Sequence, residues 1–285
     1  VFDSTASSSN GAVSFSSTVN SATSTARNLS VVAGSGNVTF TGAVGNLNPL
    51  GAIAIDSTGT TTFGSTVNAA SLATNAGGTT SLGGNVTTTG SQAYNGKTTL
   101  AATPITLTTT NSDVSFGGTL NGNAASRALT IAAGTGNVTF TGAVGGSTAL
   151  GAVAITAATT TNSSTWVGSS TLGITGNAVI NGAISGITSL SISGTTSLGA
   201  NVTTTAVGGQ TYSGAVTITG SAVTLDSTSG NGPVLFSSTV NSAANVGNTA
   251  SAANPLTVTT GSGNVTFTGV VGGGTNGALG ALTVN

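Results

Sequence analysis

The chain repeats itself on two scales, and this constrains its fold more than any other feature. The block Gly34-Ser35-Gly36-Asn37-Val38-Thr39-Phe40-Thr41-Gly42-Ala43-Val44-Gly45 recurs at 134–145 with Thr135 for Ser, and at 261–272 with Val270 for Ala. A second block, 79–89, recurs at 195–205 with Ala200 for Gly. Shortly after each copy comes a third: Gln92-Ala93-Tyr94-Asn95-Gly96, then Gln210-Thr211-Tyr212-Ser213-Gly214. A fourth block, 15–21, returns at 236–242 and in divergent form at 116–122. The order is constant, so the chain reads as copies of one module at about 1–112, 113–232 and 233–285. The second copy carries extra residues around 162–187. Val1-Phe2-Asp3 aligns with Thr224-Leu225-Asp226, and Leu282-Thr283-Val284-Asn285 with Ile53-Ala54-Ile55-Asp56. Both alignments start or stop inside a module, and there is no Met, so 1–285 is expected to be one continuous segment of a longer array.

Inside each module runs a shorter period. Apolar residues alternate with Thr, Ser or Ala in Val13-Ser14-Phe15, Val38-Thr39-Phe40, Ile53-Ala54-Ile55, Thr61-Thr62-Phe63 and Thr80-Ser81-Leu82. They alternate again in Ile105–Leu107, Val114–Phe116, Leu129–Ile131, Leu190–Ile192, Val216–Ile218, Val223–Leu225 and Leu256–Val258. A period of two with β-branched enrichment is the pattern of strands. Gly, Ser and Asn clusters separate them, with Asn-Gly at Asn10, Asn95, Asn121, Asn181 and Asn276. Glu and Met are absent and Lys occurs once, so the good helix formers are missing.

Short strands recurring every 18–27 residues fit an all-β fold, a parallel β-solenoid (right-handed β-helix) of roughly 12 coils. At about 4.8 Å per coil this makes a rod of roughly 55–60 Å. Tandem β-sandwiches would suit the longer period, but the finer period and short loops speak for the solenoid. In it, Val, Ile, Leu and Phe stack inward, Thr and Ser point outward, and Gly and Asn take corners needing positive φ. Asn37, Asn85, Asn137, Asn201 and Asn264 each open an Asn-Val-Thr triplet. A corner amide capping backbone groups is one reading of it; an N-glycosylation sequon is the other.

Composition narrows the function. Only seven residues are charged: Arg27, Lys97, Arg127, Asp3, Asp56, Asp113 and Asp226. A net charge of −1 offers no footprint for nucleic acid. Without His or Cys there is no imidazole base, thiol nucleophile, zinc finger or disulfide. No apolar run is long enough for a transmembrane helix, and with no charged n-region leading into an apolar h-region, no signal peptide is expected in this sequence. Glycoside hydrolysis needs two carboxylates about 5–9.5 Å apart. Asp3 and Asp226 are one repeat position seen twice, and Asp56 and Asp113 fall two or three coils apart, roughly 10–14 Å. Lys97 has no Ser three residues before it, and no glycine-rich stretch carries a phosphate-loop Lys. The expectation is no enzyme, no catalytic residue, no cofactor and no metal. Threonine triplets at 60–62, 87–89, 108–110, 159–161 and 203–205 raise an ice- or glycan-binding face as an alternative, but their spacing is irregular.

The repeats Gly-Asn-Val-Thr-Phe-Thr-Gly-Ala-Val-Gly, Gly-Gly-Thr-Thr-Ser-Leu-Gly-Gly-Asn-Val-Thr-Thr-Thr and Gln-Thr-Tyr-Ser-Gly-Ala-Val-Thr resemble the passenger regions of very large bacterial surface proteins. These are the filamentous-haemagglutinin-like and related β-strand-repeat proteins. The resemblance covers essentially the whole chain. It implies a secreted or cell-surface β-helix that forms fibres, adhesins or matrix. The Asn-Pro-Asn motif of the family's secretion domain is only partly echoed, at Asn48-Pro49-Leu50 and Asn254-Pro255-Leu256. The expected partners are other copies of the chain, lateral or end to end, and glycans or surfaces.

Overall fold

The computed structural model describes residues 1–5, 10–23, 25–168, 170–243, 253–273 and 277–285. The Asn-Gly turn expected at Asn276 lies outside them. The fold is an all-β parallel solenoid of about twelve coils. It divides into two compact units, Val1–Leu150 and Gly151–Asn285.

Three parallel ladders build the first unit. The first stacks Val13–Phe15, Val38–Phe40, Thr60–Phe63, Thr79–Leu82, Lys97–Leu100 and Leu120–Gly122. The second stacks Phe2–Asp3, Leu29–Gly34, Leu50–Ser57, Val67–Thr74, Gln92–Tyr94, Val114–Phe116 and Val138–Phe140. The third joins the start of Val67–Thr74 to Val86–Thr88, Ile105–Thr108 and Arg127–Ala132. Along the first ladder Val13 pairs with Val38, Val38 with Thr61, Thr61 with Thr80, Thr80 with Thr98 and Thr98 with Leu120. Coils therefore consume 25, 23, 19, 18 and 22 residues, and the differences are taken up between strands, never in register.

In the second unit Trp166 pairs with Ile184 and Ile184 with Val202, two coils of 18. The extra residues of the second module are thus filled by Thr171–Ile180 and Ile184–Ile192, strands of compact coils. Val216 pairs with Val240, and Val240 with Val271, a coil of 31. That coil exceeds the expected upper bound of 27. Its surplus falls between Val240–Ser242 and Leu256–Thr259, whose ladder pairings are kept.

All twelve segments expected as strands are strands. Their inward residues form the core because in-register parallel strands set like side chains about 4.8 Å apart. Phe15, Phe40 and Phe63 stack at 4.7 and 5.1 Å, their rings nearly parallel at 3° and 7°. Tyr94, Phe116 and Phe140 do so at 5.2 Å per step. In the second unit Tyr212, Phe236 and Phe267 repeat the arrangement at 5.2 and 4.9 Å.

Corner chemistry differs from expectation. Among the described residues the positive-φ residues other than Gly are Asn111, Ser126 and Asn231. None of the five Asn-Val-Thr asparagines is among them, nor are Asn10, Asn95, Asn121 and Asn181 of the Asn-Gly pairs. Gly34 and Gly134, the first residues of the long block, do adopt φ of +54° and +62°. Gly142 is needed for another reason: a β-carbon there would run into the backbone of Gly118 one coil below.

Candidate functional site

The threonine triplets divide between core and surface. The middle residue of all five, Thr61, Thr88, Thr109, Thr160 and Thr204, is buried. Strand alternation requires this, and it corrects the expectation that Thr points outward. Thr88 Oγ1 donates to the carbonyl of Gly90 at 2.6 Å, and Thr109 Oγ1 to that of Ser112 at 2.5 Å. Thr160 and Thr204 bury hydroxyls without a partner among the described residues, as do Thr98 and Thr196.

The outward hydroxyls of the first ladder form one column: Ser14, Thr39, Thr62, Ser81 and Thr99 occupy the same register in five consecutive coils. Thr60, Thr79 and Lys97 run beside it. Irregular spacing in the sequence is therefore compatible with regular spacing on the surface. The triplets at 87–89 and 108–110 lie on the third ladder, where Thr87 pairs with Thr108.

The asparagines brace one coil to the next. Asn37 Oδ1 accepts the N–H of Thr60, Asn85 Oδ1 that of Thr106 and Asn201 Oδ1 that of Thr224, each at 2.8 Å. Asn28 does the same for Ala52, and Asn177 for Thr195, both at 2.9 Å. The corner-amide reading thus holds at three of the five triplets, and these side chains remain exposed.

The four carboxylates stand apart. In Asp3-Ser4-Thr5 and Asp226-Ser227-Thr228 the aspartate closes on its own turn, accepting the Thr hydroxyl at 2.7 Å and the Thr N–H at 2.8–2.9 Å. The hydroxyl of Thr5, then its N–H, hold the Asp3 carboxyl below its ordinary value. Asp113 accepts the N–H of Asn137 at 2.7 Å. Asp56 and Asp113 are three steps apart on the second ladder, about 14 Å along the axis, and are further offset along the strand. That is too far for a glycosidase pair. Asp56 belongs to the same Asp-Ser-Thr tripeptide, yet its Oδ1 accepts from Asn75 Nδ2 in the next coil. Around it is a shallow depression of about 290 Å³, lined by Ser30, Ala54, Asp56, Ala73, Asn75 and Asn95 among others. Among the described residues no group of three or more His, Cys, Asp or Glu is arranged to hold a metal ion. Among the described residues no helix is long and apolar enough to cross a membrane.

The recurring Gln-x-Tyr block is a buried polar pair, a role that went unread in the sequence. Tyr94 Oη donates to Gln92 Oε1 at 2.9 Å, and Tyr212 Oη to Gln210 Oε1 at 2.8 Å. Gln92 Nε2 faces the carbonyls of Val86 (3.2 Å) and Thr108 (2.9 Å), one coil apart. Gln210 Nε2 faces those of Val202 and Asp226 in the same way. Burial pushes both phenols well above the usual tyrosine range. The signal was available: two residues apart, Gln and Tyr must share the inward face of a strand.

Comparison with protein-family models, curated proteins and solved structures finds no match to this chain.

Proposed function

We propose that this chain is a structural repeat protein whose task is mechanical: to supply length and stiffness as part of a secreted or cell-surface rod, fibre or matrix. The supporting observation is the continuous parallel pairing of strands from coil to coil within each unit, interrupted by local register shifts at Val32/Gly34, Thr156/Thr159 and Ile184–Ser189. Every ladder step is hydrogen-bonded, each core column stacks on itself, and asparagines clamp successive coils. Such an arrangement extends by adding coils without altering those already made. The small, neutral, hydroxyl- and amide-rich surface suits contact with further copies, since natural sheet edges are normally guarded by Lys or Pro and this chain has one Lys and four Pro. The repeat style that resembles filamentous-haemagglutinin-like proteins supports the same reading. Cryo-electron imaging of native material tests it. Filaments or rods with an axial repeat of ~4.8 Å are expected; isolated globules would overturn it. Monodisperse monomers at high concentration would overturn the self-association part.

One observation favours a second reading. The hydroxyl column Ser14, Thr39, Thr62, Ser81 and Thr99 is a regular array able to order water or ice. Thermal hysteresis in dilute solution, lost in Thr62→Lys, would support that reading, and its absence would remove it.

A further inference from the structure

The depression beside Asp56 is built from one side chain that departs from its repeat. Asp3, Asp56 and Asp226 begin the same Asp-Ser-Thr tripeptide. In two copies one carboxylate oxygen, Oδ1, is taken by the N–H and hydroxyl of the threonine two residues on. At Asp56 it is turned across the face of the sheet toward Asn75, while Thr58 Oγ1 instead donates to the carbonyl of Gly34 at 3.2 Å. One Asp56 oxygen is engaged by Asn75; the other has no partner among the described residues. Asn75 Oδ1 is held by the N–H of Gly77 at 2.5 Å, and Asn95 Nδ2 by the carbonyl of Thr74 at 2.8 Å. Both amides are thereby oriented, and the polar residues lining the depression offer an Asp56 oxygen and Asn95 Oδ1 as acceptors and the Ser30 hydroxyl as donor or acceptor. Ser30, Ala54 and Ala73 share one outward column in successive coils and form a flat floor of small side chains.

We propose that this depression binds a neutral carbohydrate, with adjacent sugar hydroxyls donating to the Asp56 carboxylate and Asn95 and a C–H face resting on Ala54 and Ala73. A ligand rich in hydroxyl donors satisfies oriented acceptors without requiring a compensating charge. The volume, about 290 Å³, is at the lower end of the roughly 300–1,000 Å³ typical of small-molecule sites, which suits one or two rings. A hard cation is the less fitting occupant: it takes six to eight oxygen ligands, and the site has one carboxylate over a methyl-lined floor. The site lies within four successive coils of the first unit and stands whether or not the chain assembles.

The test is an amide-resolved NMR titration of the chain with neutral mono- and disaccharides, and separately with calcium chloride. The expected result is saturable perturbation by at least one sugar, centred on Ala54, Asp56, Ala73 and Asn75. Asp56→Ala is expected to weaken it at least tenfold, and Ala54→Leu, which fills the floor, to abolish it. Both changes are at exposed outward positions, so spectra elsewhere should be unaltered, which separates lost binding from lost fold. The proposal is overturned by no perturbation with any sugar through the millimolar range, by shifts centred elsewhere, by an unchanged titration in Asp56→Ala, or by calcium alone perturbing these amides.

Discussion

Replacing Gln92 should show how much of the core rests on two polar side chains. Gln92→Leu keeps approximate size and removes the amide. It strands the buried Tyr94 hydroxyl, whose acceptor is Gln92 Oε1 at 2.9 Å. An unpaired buried hydroxyl costs about 1–3 kcal/mol, and the donated bonds to Val86 and Thr108 add about 1 kcal/mol. The single variant should therefore lose about 2–4 kcal/mol. Tyr94→Phe strands the Gln92 oxygen instead and should lose about 1–3 kcal/mol. The double variant Gln92→Leu/Tyr94→Phe leaves neither partner stranded. It should lose only about 1 kcal/mol, less than Gln92→Leu alone, giving a coupling of at least about 2 kcal/mol. Urea denaturation supplies the midpoints and slopes. Because stacked repeats can unfold in parts, amide exchange in Gln92–Tyr94 and its ladder neighbours should accompany it. The pair Gln210 and Tyr212 offers an independent replicate. Additivity within about 0.5 kcal/mol at both pairs would refute the reasoning, since independent sites add to that level.

Other perturbations have defined outcomes. Thr98 buries an unpartnered hydroxyl between Thr80 and Leu120, in a column that uses Val at Val38; Thr98→Val should raise stability by about 1–2 kcal/mol in denaturant titrations, and a loss would show the hydroxyl to be satisfied. Gly142→Ala should cost several kcal/mol and lower the thermal midpoint, because the new methyl meets the Gly118 backbone. Gly173→Ala meets nothing within 4 Å and should be neutral or stabilising by up to about 1 kcal/mol. Both phenols titrate higher folded than unfolded, so their contribution is complete below the ordinary tyrosine pKa and is lost as pH rises beyond it. Stability should fall above about pH 10 by about 1.4 kcal/mol per pH unit for each tyrosine. Following tyrosinate absorbance alongside unfolding checks this, and Tyr94→Phe should halve the slope if the units unfold together.

Much of the fold was legible because two codes coincide. Alternation marks a strand wherever one face is buried, and identical blocks in fixed order mark stacked coils. Thus Val38-Thr39-Phe40 and Val114-Ser115-Phe116 were readable as strands, and both are. The threonine triplets were not readable, since Thr fits either face of a pleat; only burial shows that Thr61 and Thr204 point inward. The depression at Asp56 was also hidden. Three identical tripeptides gave no sign that one carboxylate would leave its own turn for Asn75 in the next coil.

By itself the amino-acid sequence determined the class of structure: parallel stacked strands, a core of repeated apolar columns and a surface almost without charge. These follow from local periodicity and residue chemistry, which do not depend on neighbours far along the chain. Which column a residue joins was decided only by the tertiary structure. Phe40 stacks with Phe15 and Phe63 on the first ladder, whereas Phe140, in the same peptide, stacks with Phe116 on the second. From Val38 the first ladder reaches Leu120 in four coils and Val144 in the next, so Val138 falls one strand short. The module is not a whole number of coils, and coil length is fixed by how corners fold, from 18 to 25 residues along this ladder. Residues added between strands lengthen a coil and leave its ladder pairings in place, so which ladder a repeat joins depends on the sum of all coil lengths before it, and that sum exists only in the assembled solenoid.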